Sequence, residues 1–327
     1  MIKIVFFGTP EYAVPIIDSL HRKFKTKKGE SPIAGVVTQQ PRPKGRKQIL
    51  AYSPVDTWAH KHKIPIYYSC TDLIKNKVVA DLGILVAYGE IVSQETISVF
   101  PHGILNIHPS LLPKYRGASP LAAAIAAREK ITGGTIIKID EKMDHGPIVC
   151  QFEEEILDDD NQSTLGNRIF AKSAEVLCQL FEPYLAGKIK LKKQDDEKAT
   201  FTALVKKEDG FIPPEFLKNA LTSALTRTVP VKKDWQIGFI KNYSLIPNAE
   251  TLERFIRAMQ PWPGAWTEIK VISDKKQVTR RLKIIKAHLE KQPVTCHLLL
   301  VPDSVQLEGK MTVSWEEFKR GYPNFSF

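Results

Sequence analysis

The chain has 327 residues, of which 43% are hydrophobic, enough for two domains with cores of their own and too many for a chain disordered throughout. It contains no run of about 18 apolar residues, which excludes a membrane-spanning helix, and its four dispersed cysteines form no C-x-x-C pair, which excludes a zinc ribbon or a dithiol redox motif. The 47 basic residues outnumber the 36 acidic ones for a net charge of +11, a balance suited to nucleic acid or a phosphate-rich substrate, although composition alone leaves a solvated basic surface equally open.

Residues 2–7 form an apolar, β-branched run that predicts a first strand. Too short for a signal-peptide core, this run leads us to expect a cytoplasmic protein with reduced thiols. Gly8, Thr9 and Pro10 then make a turn. A helical pattern follows from residue 11 to about 27, with Thr9 as its cap and Pro10 at its first position. Residues 33–38 predict a second strand. The loop 39–47 holds four cations, Arg42, Lys44, Arg46 and Lys47, and no acid. Two prolines and a glycine keep it open, so it is either a phosphate-tracking loop or a solvated linker. His60 and His62 fall in a helical stretch without sharing a face, and read as surface residues rather than metal ligands. Strands are predicted within 81–88 and at 103–108. Residues 133–139 and 148–156 predict a hairpin with 143–147 near its turn, and 163–185 a long amphipathic helix capped by Ser163. This alternation predicts an α/β domain with a mostly parallel sheet covered on both faces.

The composition changes after Gly187. Residues 188–204 read as a linker, beginning with a charged run free of aromatics. Residues 205–327 form a second domain with 20 basic and 13 acidic residues, so the basic excess is concentrated there. Its helical periodicity is weak, and β-like pieces at 266–272, 281–287, 294–301 and 311–314 suggest a small OB-like β-barrel.

The first turn, Gly8-Thr9-Pro10-Glu11-Tyr12-Ala13, lacks the second and third glycines of a dinucleotide fingerprint, which argues against a nicotinamide enzyme. The densest polar cluster runs from Gly103 to Gly117. Asn106 and His108 lie two apart on one strand and share a face. Two polar groups on an otherwise apolar buried strand need partners, since each unpaired one costs about 1–3 kcal/mol. Pro109 ends the strand and puts His108 at its carboxyl end, where open parallel sheets bind ligands. An asparagine amide can donate to a developing oxyanion, and a histidine can donate or shuttle a proton. In the cluster of residues 140–147, Asp144 is a better orienting carboxylate than Asp140. An ordinary turn explains the same residues, and spacing alone does not decide.

Taken together, these segments resemble methionyl-tRNA formyltransferases, a family that uses formyltetrahydrofolate. The likeness is carried by Ile4-Val5-Phe6-Phe7-Gly8-Thr9-Pro10-Glu11, by Ala87-Tyr88-Gly89 and above all by Asn106-Ile-His-Pro-Ser-Leu-Leu-Pro-Lys-Tyr-Arg-Gly117. Met143-Asp144-His145-Gly146, Arg257-Ala-Met-Gln-Pro-Trp-Pro-Gly-Ala-Trp266 and Gln306-Leu-Glu-Gly-Lys310 extend it. The resemblance implies a Rossmann-like domain followed by an OB-like barrel, and formyl transfer from 10-formyltetrahydrofolate to an amine without a metal. It assigns Asn106, His108 and Asp144 to catalysis, and Ser110, Leu111, Leu112 and Pro113 to the folate. Arg42, Lys44, Arg46 and Lys47 would meet a charged initiator tRNA, Arg42 being nearest in kind to the family's discriminating arginine. The chain is expected to act as a monomer, away from membranes.

Two features depart from the family pattern. Thr38-Gln-Gln-Pro-Arg-Pro43 lacks the usual aspartate of that loop, and Ala118 replaces the usual Gln or Asn. Residues 211–246 match nothing clearly. Relatives acting on other amines, such as sugar nucleotides, usually lack the basic loop, and those acting on glycinamide ribonucleotide lack the second domain. A nucleic-acid-binding relative without activity is the other alternative, and the intact Asn106, His108 and Asp144 argue against it.

Overall fold

A computed structural model describes residues 2–44, 48–222, 234–273, 276–292 and 298–327. The chain forms two compact units. One holds Met1–Arg116, Ile131–Glu155 and Gly166–Thr200, and the other Gly117–Lys130, Ile156–Leu165 and Phe201–Phe327. The boundary at residue 200 falls inside the stretch expected as a linker. Residues before it are mostly exposed yet tied to the first unit, Lys192 exchanging backbone hydrogen bonds with Ile148.

The first unit is built on β1 (Ile4–Gly8), β2 (Ile33–Val37), β3 (Ile66–Tyr67), β4 (Leu82–Val86), β5 (Ile104–His108), β6 (Ile131–Lys138) and β7 (Ile148–Glu155). They lie in the order β7-β6-β5-β4-β1-β2-β3. The first five strands in sequence are parallel, while β6 runs against both β5 and β7. The chain moves outward from β1 to β3 and then returns to the other side of β1, so the sheet switches direction between β1 and β4. Successive residues of β1 point to opposite faces. Ile4 and Phe6 enter a core with Ile16, Ile17 and Leu20 of α1 (Val14–Phe24) and with Phe170, Leu177 and Phe181 of the long helix Gln162–Leu185. Val5 and Phe7 enter a second core with Leu73, Tyr88 and Phe100. Burying each such side chain stabilises the unit by about 1.5–3 kcal/mol. Both faces are thus covered, as the apolar runs predict.

Two expected caps are corrected. Thr9 does not cap α1, which follows a short 3-10 turn at Glu11–Ala13, and its hydroxyl instead donates to the Tyr88 carbonyl at 3.1 Å. Ser163 does not cap the long helix either. Asn161 does, its Oδ1 accepting from the Ser163 and Thr164 amides at 2.8 and 3.1 Å.

His62 stacks on Trp58 with ring centres 4.3 Å apart, and the buried His21 ring meets both. Burial, helped by the His62 and Lys25 charges, holds the His21 imidazole below its usual 6.5. A base lowered in this way adds stability above its unfolded value, and that stability is lost as the pH falls through the lowered one. Acidification from about pH 7 to about pH 5 is therefore expected to lower the unfolding temperature less in His21→Asn than in the wild type. Equal falls in thermal unfolding would remove His21 from the acid response.

The second unit carries an antiparallel sheet of β8 (Ala265–Ser273), β9 (Lys276–Lys291), β10 (Leu298–Leu307) and β11 (Thr312–Ser314), in that order. Ile269, Val271, Leu282, Val305 and Leu307 close its core with Phe318. The weak helical periodicity expected here is also corrected. Helix Ala249–Ala258, capped by Asn248, buries Leu252, Phe255 and Ile256 on one side. Exposed Lys276, Arg280, Arg281 and Lys286 mark β9 as basic, and the Arg281 guanidinium lies 4.6 Å over the Trp266 ring. Residues 211–246 contribute the helix Pro214–Thr222 and the short strands Trp235–Gln236 and Ser244–Leu245.

Candidate active site

β5 presents Asn106 and His108 on one face, both buried. The carboxylate of Asp144 comes to meet them. Asn106 Nδ2 donates to Asp144 Oδ1 at 3.1 Å, and His108 Nδ1 lies 3.6 Å from Asp144 Oδ2. The approach is indirect. Because β6 is antiparallel to β5, its carboxyl end lies beside Ile104, at the far end of β5 from His108. The turn 139–147 therefore folds back along β5 to bring Asp144 level with the pair. Two local features permit this. Asp144 adopts the left-handed region at φ 48°, which aspartate tolerates better than most side chains. Gly146 passes so close to the Lys138 carbonyl that a Cβ would collide with it.

The other ring nitrogen of His108 is committed. Nε2 lies 2.9 Å from the Tyr115 carbonyl, which can only accept, so the proton sits on Nε2. Nδ1, facing the carboxylate, is the nitrogen left to exchange a proton. Asn106 has a second amide proton beyond the one given to Asp144. The cluster thus offers a donor for a developing negative charge, a proton carrier and a carboxylate that faces both.

The loop after β5 is braced from β6 and β7. Thr135 Oγ1 donates to the Ser110 carbonyl at 2.6 Å and accepts from the Leu112 amide at 3.1 Å. Gln151 Nε2 reaches the Leu112 carbonyl and Thr135 Oγ1, both at 2.9 Å. The Ser110 hydroxyl donates to the Lys114 carbonyl at 2.6 Å. Leu112 is buried against Ile137 and Ile148, whereas Leu111 and Pro113 are half-buried. Across the sheet, the ends of β1, β2 and β4 converge on one atom, since Thr9 Oγ1 and Gln39 Nε2 both donate to the Tyr88 carbonyl.

The basic loop forms a two-stranded sheet of its own. Arg42–Lys44 pairs with Ile49–Ala51 as a hairpin, with Arg42, Ile49, Leu50 and Tyr52 exposed. Arg46 and Lys47 lie outside the described residues. Asp140 pairs with His145 at 2.6 Å rather than with His108. Cys70, Cys150 and Cys178 are free thiols, and Cys296 is outside the described residues. Among the described residues no group of three metal-type side chains gathers, and no helix is long and apolar enough to cross a membrane.

Sequence reasoning missed Thr135, Gln151 and the Tyr115 carbonyl. Thr135 was within reach, because it is a polar residue between Gly134 and Ile136 on a buried strand, the same signal that marks Asn106 and His108.

Comparison with known proteins identifies the family. The formyl transferase family model matches residues 2–180, and that of the formyl transferase C-terminal domain matches 247–323. The methionyl-tRNA formyltransferase of Chloroflexus aggregans is 36% identical over 272 residues, covering 81% of this chain and 76% of the relative. That of Roseiflexus castenholzii is 32% identical over 337 residues, covering 98% and 96%. Among solved structures, an N-formyltransferase from Helicobacter canadensis aligns with a TM-score of 0.61 at 14% identity, over 96% of this chain and 99% of that one, a likeness of fold alone. Identity of this extent along nearly the whole length places the chain in the family of methionyl-tRNA formyltransferases.

Proposed function

We propose that the Asn106–His108–Asp144 site transfers the formyl group of 10-formyltetrahydrofolate to the amino group of methionyl-initiator tRNA. The observation that carries this reading is the division of one carboxylate between an amide donor at 3.1 Å and an imidazole at 3.6 Å. Attack of the amine makes the formyl carbon tetrahedral and charges its oxygen. Asn106 Nδ2 donates to that oxygen. His108 Nδ1 takes the proton lost by the amine and returns it to N10 of the folate as the tetrahedral carbon collapses and its bond to N10 breaks, releasing tetrahydrofolate. Asp144 steadies the positive charge that passes over the ring. Ser110, Leu111, Leu112 and Pro113 line the folate, with Thr135 and Gln151 keeping that stretch in shape.

Residues 1–187 carry the chemistry, 188–204 connect, and 205–327 hold the tRNA through basic surface such as that of β9. Arg42, Lys44, Arg46 and Lys47 reach its acceptor end. The enzyme works as a monomer in the cytoplasm. Formylation of charged initiator tRNA, set beside glycinamide ribonucleotide and an amino-sugar nucleotide, tests the substrate. Preference for either small amine overturns it.

Arg42 is assigned to choosing the tRNA and not to the transfer itself. It is exposed on a hairpin stiffened by Pro41 and Pro43. Arg42→Ala is expected to slow formylation of the initiator tRNA by about tenfold and to narrow its margin over other charged tRNAs, a factor in keeping with about 1–3 kcal/mol for a specific base contact. Equal losses on every charged tRNA would reduce Arg42 to a phosphate contact.

A further inference from the structure

Gln194 lies in the charged run after the long helix, far in sequence from Asn106, His108 and Asp144. Its side chain is nevertheless only 5% exposed. The amide nitrogen gives its two protons to backbone, reaching the carbonyls of Asp144 and Gly146 at 2.8 Å each. The amide oxygen accepts from Arg116 Nε at 3.1 Å and Nη2 at 2.9 Å. Both donors and both acceptor positions of the amide are thus used. Arg116 is itself buried and passes the contact on to Asp196 Oδ1 at 2.7 Å. Asp196 Oδ2 meets His145 Nε2 at 3.3 Å, and His145 Nδ1 meets Asp140 at 2.6 Å. The turn 139–147 is therefore gripped at two carbonyls and at one ring.

We propose that Gln194, backed by Arg116, is a positioning residue that sets the Asp144 carboxylate against Asn106 and His108. The proposal rests on the catalytic reading of Asp144 given above. Asp144 sits on a turn folded back from the sheet, so the ladder of β6 and β7 does not fix it. In a left-handed residue the backbone sets where the side chain points, and the carbonyl held by Gln194 belongs to that same residue. The contact with His108 is already 3.6 Å, and a further ångström would open it. The position calls for an amide. A carboxylate at 194 would face two carbonyl oxygens, and a hydrocarbon would release both carbonyls and two guanidinium N–H groups.

The test compares Gln194→Glu and Gln194→Met in the full-length protein, alone and combined with Asp144→Asn. Thermal unfolding, kcat and the KM for folate and for charged tRNA are measured. In the wild-type background kcat should fall by about ten- to a hundredfold, as expected for a misplaced catalytic group. Both KM values should stay within about twofold, a split that a merely structural role would not produce. In the Asp144→Asn background neither change should lower kcat further, because residues acting through one another are not additive. Should the Gln194→Met protein fail to fold, Gln194→Glu, which keeps its pairing with Arg116, carries the comparison. Folded variants with wild-type kcat, or losses of equal size in both backgrounds, overturn the positioning role alone. Wild-type transfer by Asp144→Asn overturns the reading of Asp144 and the positioning role with it.

Discussion

Replacing Asp144 with asparagine is expected to lower formyl transfer by about a hundredfold to ten-thousandfold, the range that proton-transfer catalysis supplies, while folate and tRNA still bind. The substitution isolates charge. Asparagine shares the tolerance of aspartate for the left-handed backbone found at this position, so the turn keeps its shape. Its carbonyl oxygen can still accept from Asn106 Nδ2. What is lost is the negative charge 3.6 Å from His108 Nδ1. If Asp144 served only the turn, the change would be nearly silent. Single-turnover formylation beside equilibrium binding distinguishes the two, and near-wild-type transfer would sink the mechanism.

Asn106→Leu is expected to cost about a hundredfold to a thousandfold in kcat, the usual effect of removing one oxyanion donor. Leucine fills a similar volume on a buried strand and has no proton to give. The KM for folate should change little, because the amide serves an oxygen that becomes charged only as the reaction proceeds. An equal loss through KM would make Asn106 a binding group and leave the oxyanion without its proposed donor.

The parts of the protein legible in its sequence are those set by short-range pattern. The strands of the parallel sheet appear as apolar β-branched runs because they are buried on both faces. Asn106 and His108 declare themselves by a period of two and a closing proline. Asp144 does not, because the same residues make an ordinary turn, and only the fold shows that turn lying back over β5. Gln194 gives no local signal, since two of its partners are backbone carbonyls 48 and 50 residues away. The helix Ala249–Ala258 is a different failure. Leu252, Phe255 and Ile256 at helical spacing, with Glu250 and Glu253 on other positions, make a legible amphipathic pattern, which the reading of this domain as short strands passed over. Thr9 shows that a good capping residue is overruled when a strand-end carbonyl competes for its hydroxyl.

The clamp on the turn also orders events during synthesis. Asn106 and Asp144 are 38 residues apart, and Arg116 and Asp196 are 80 apart. Contacts that close long loops come late, because the entropy of closure is spent before they return anything. A nascent chain that has emerged only as far as β7 holds Asn106, His108 and Asp144 already, but not the glutamine that seats the carboxylate. The chain must run past residue 196 before these contacts to the turn can be made. On the ribosome the clamp therefore cannot close until residues 194 and 196 have emerged, and partly made chains carry Asn106, His108 and Asp144 without that hold on the turn.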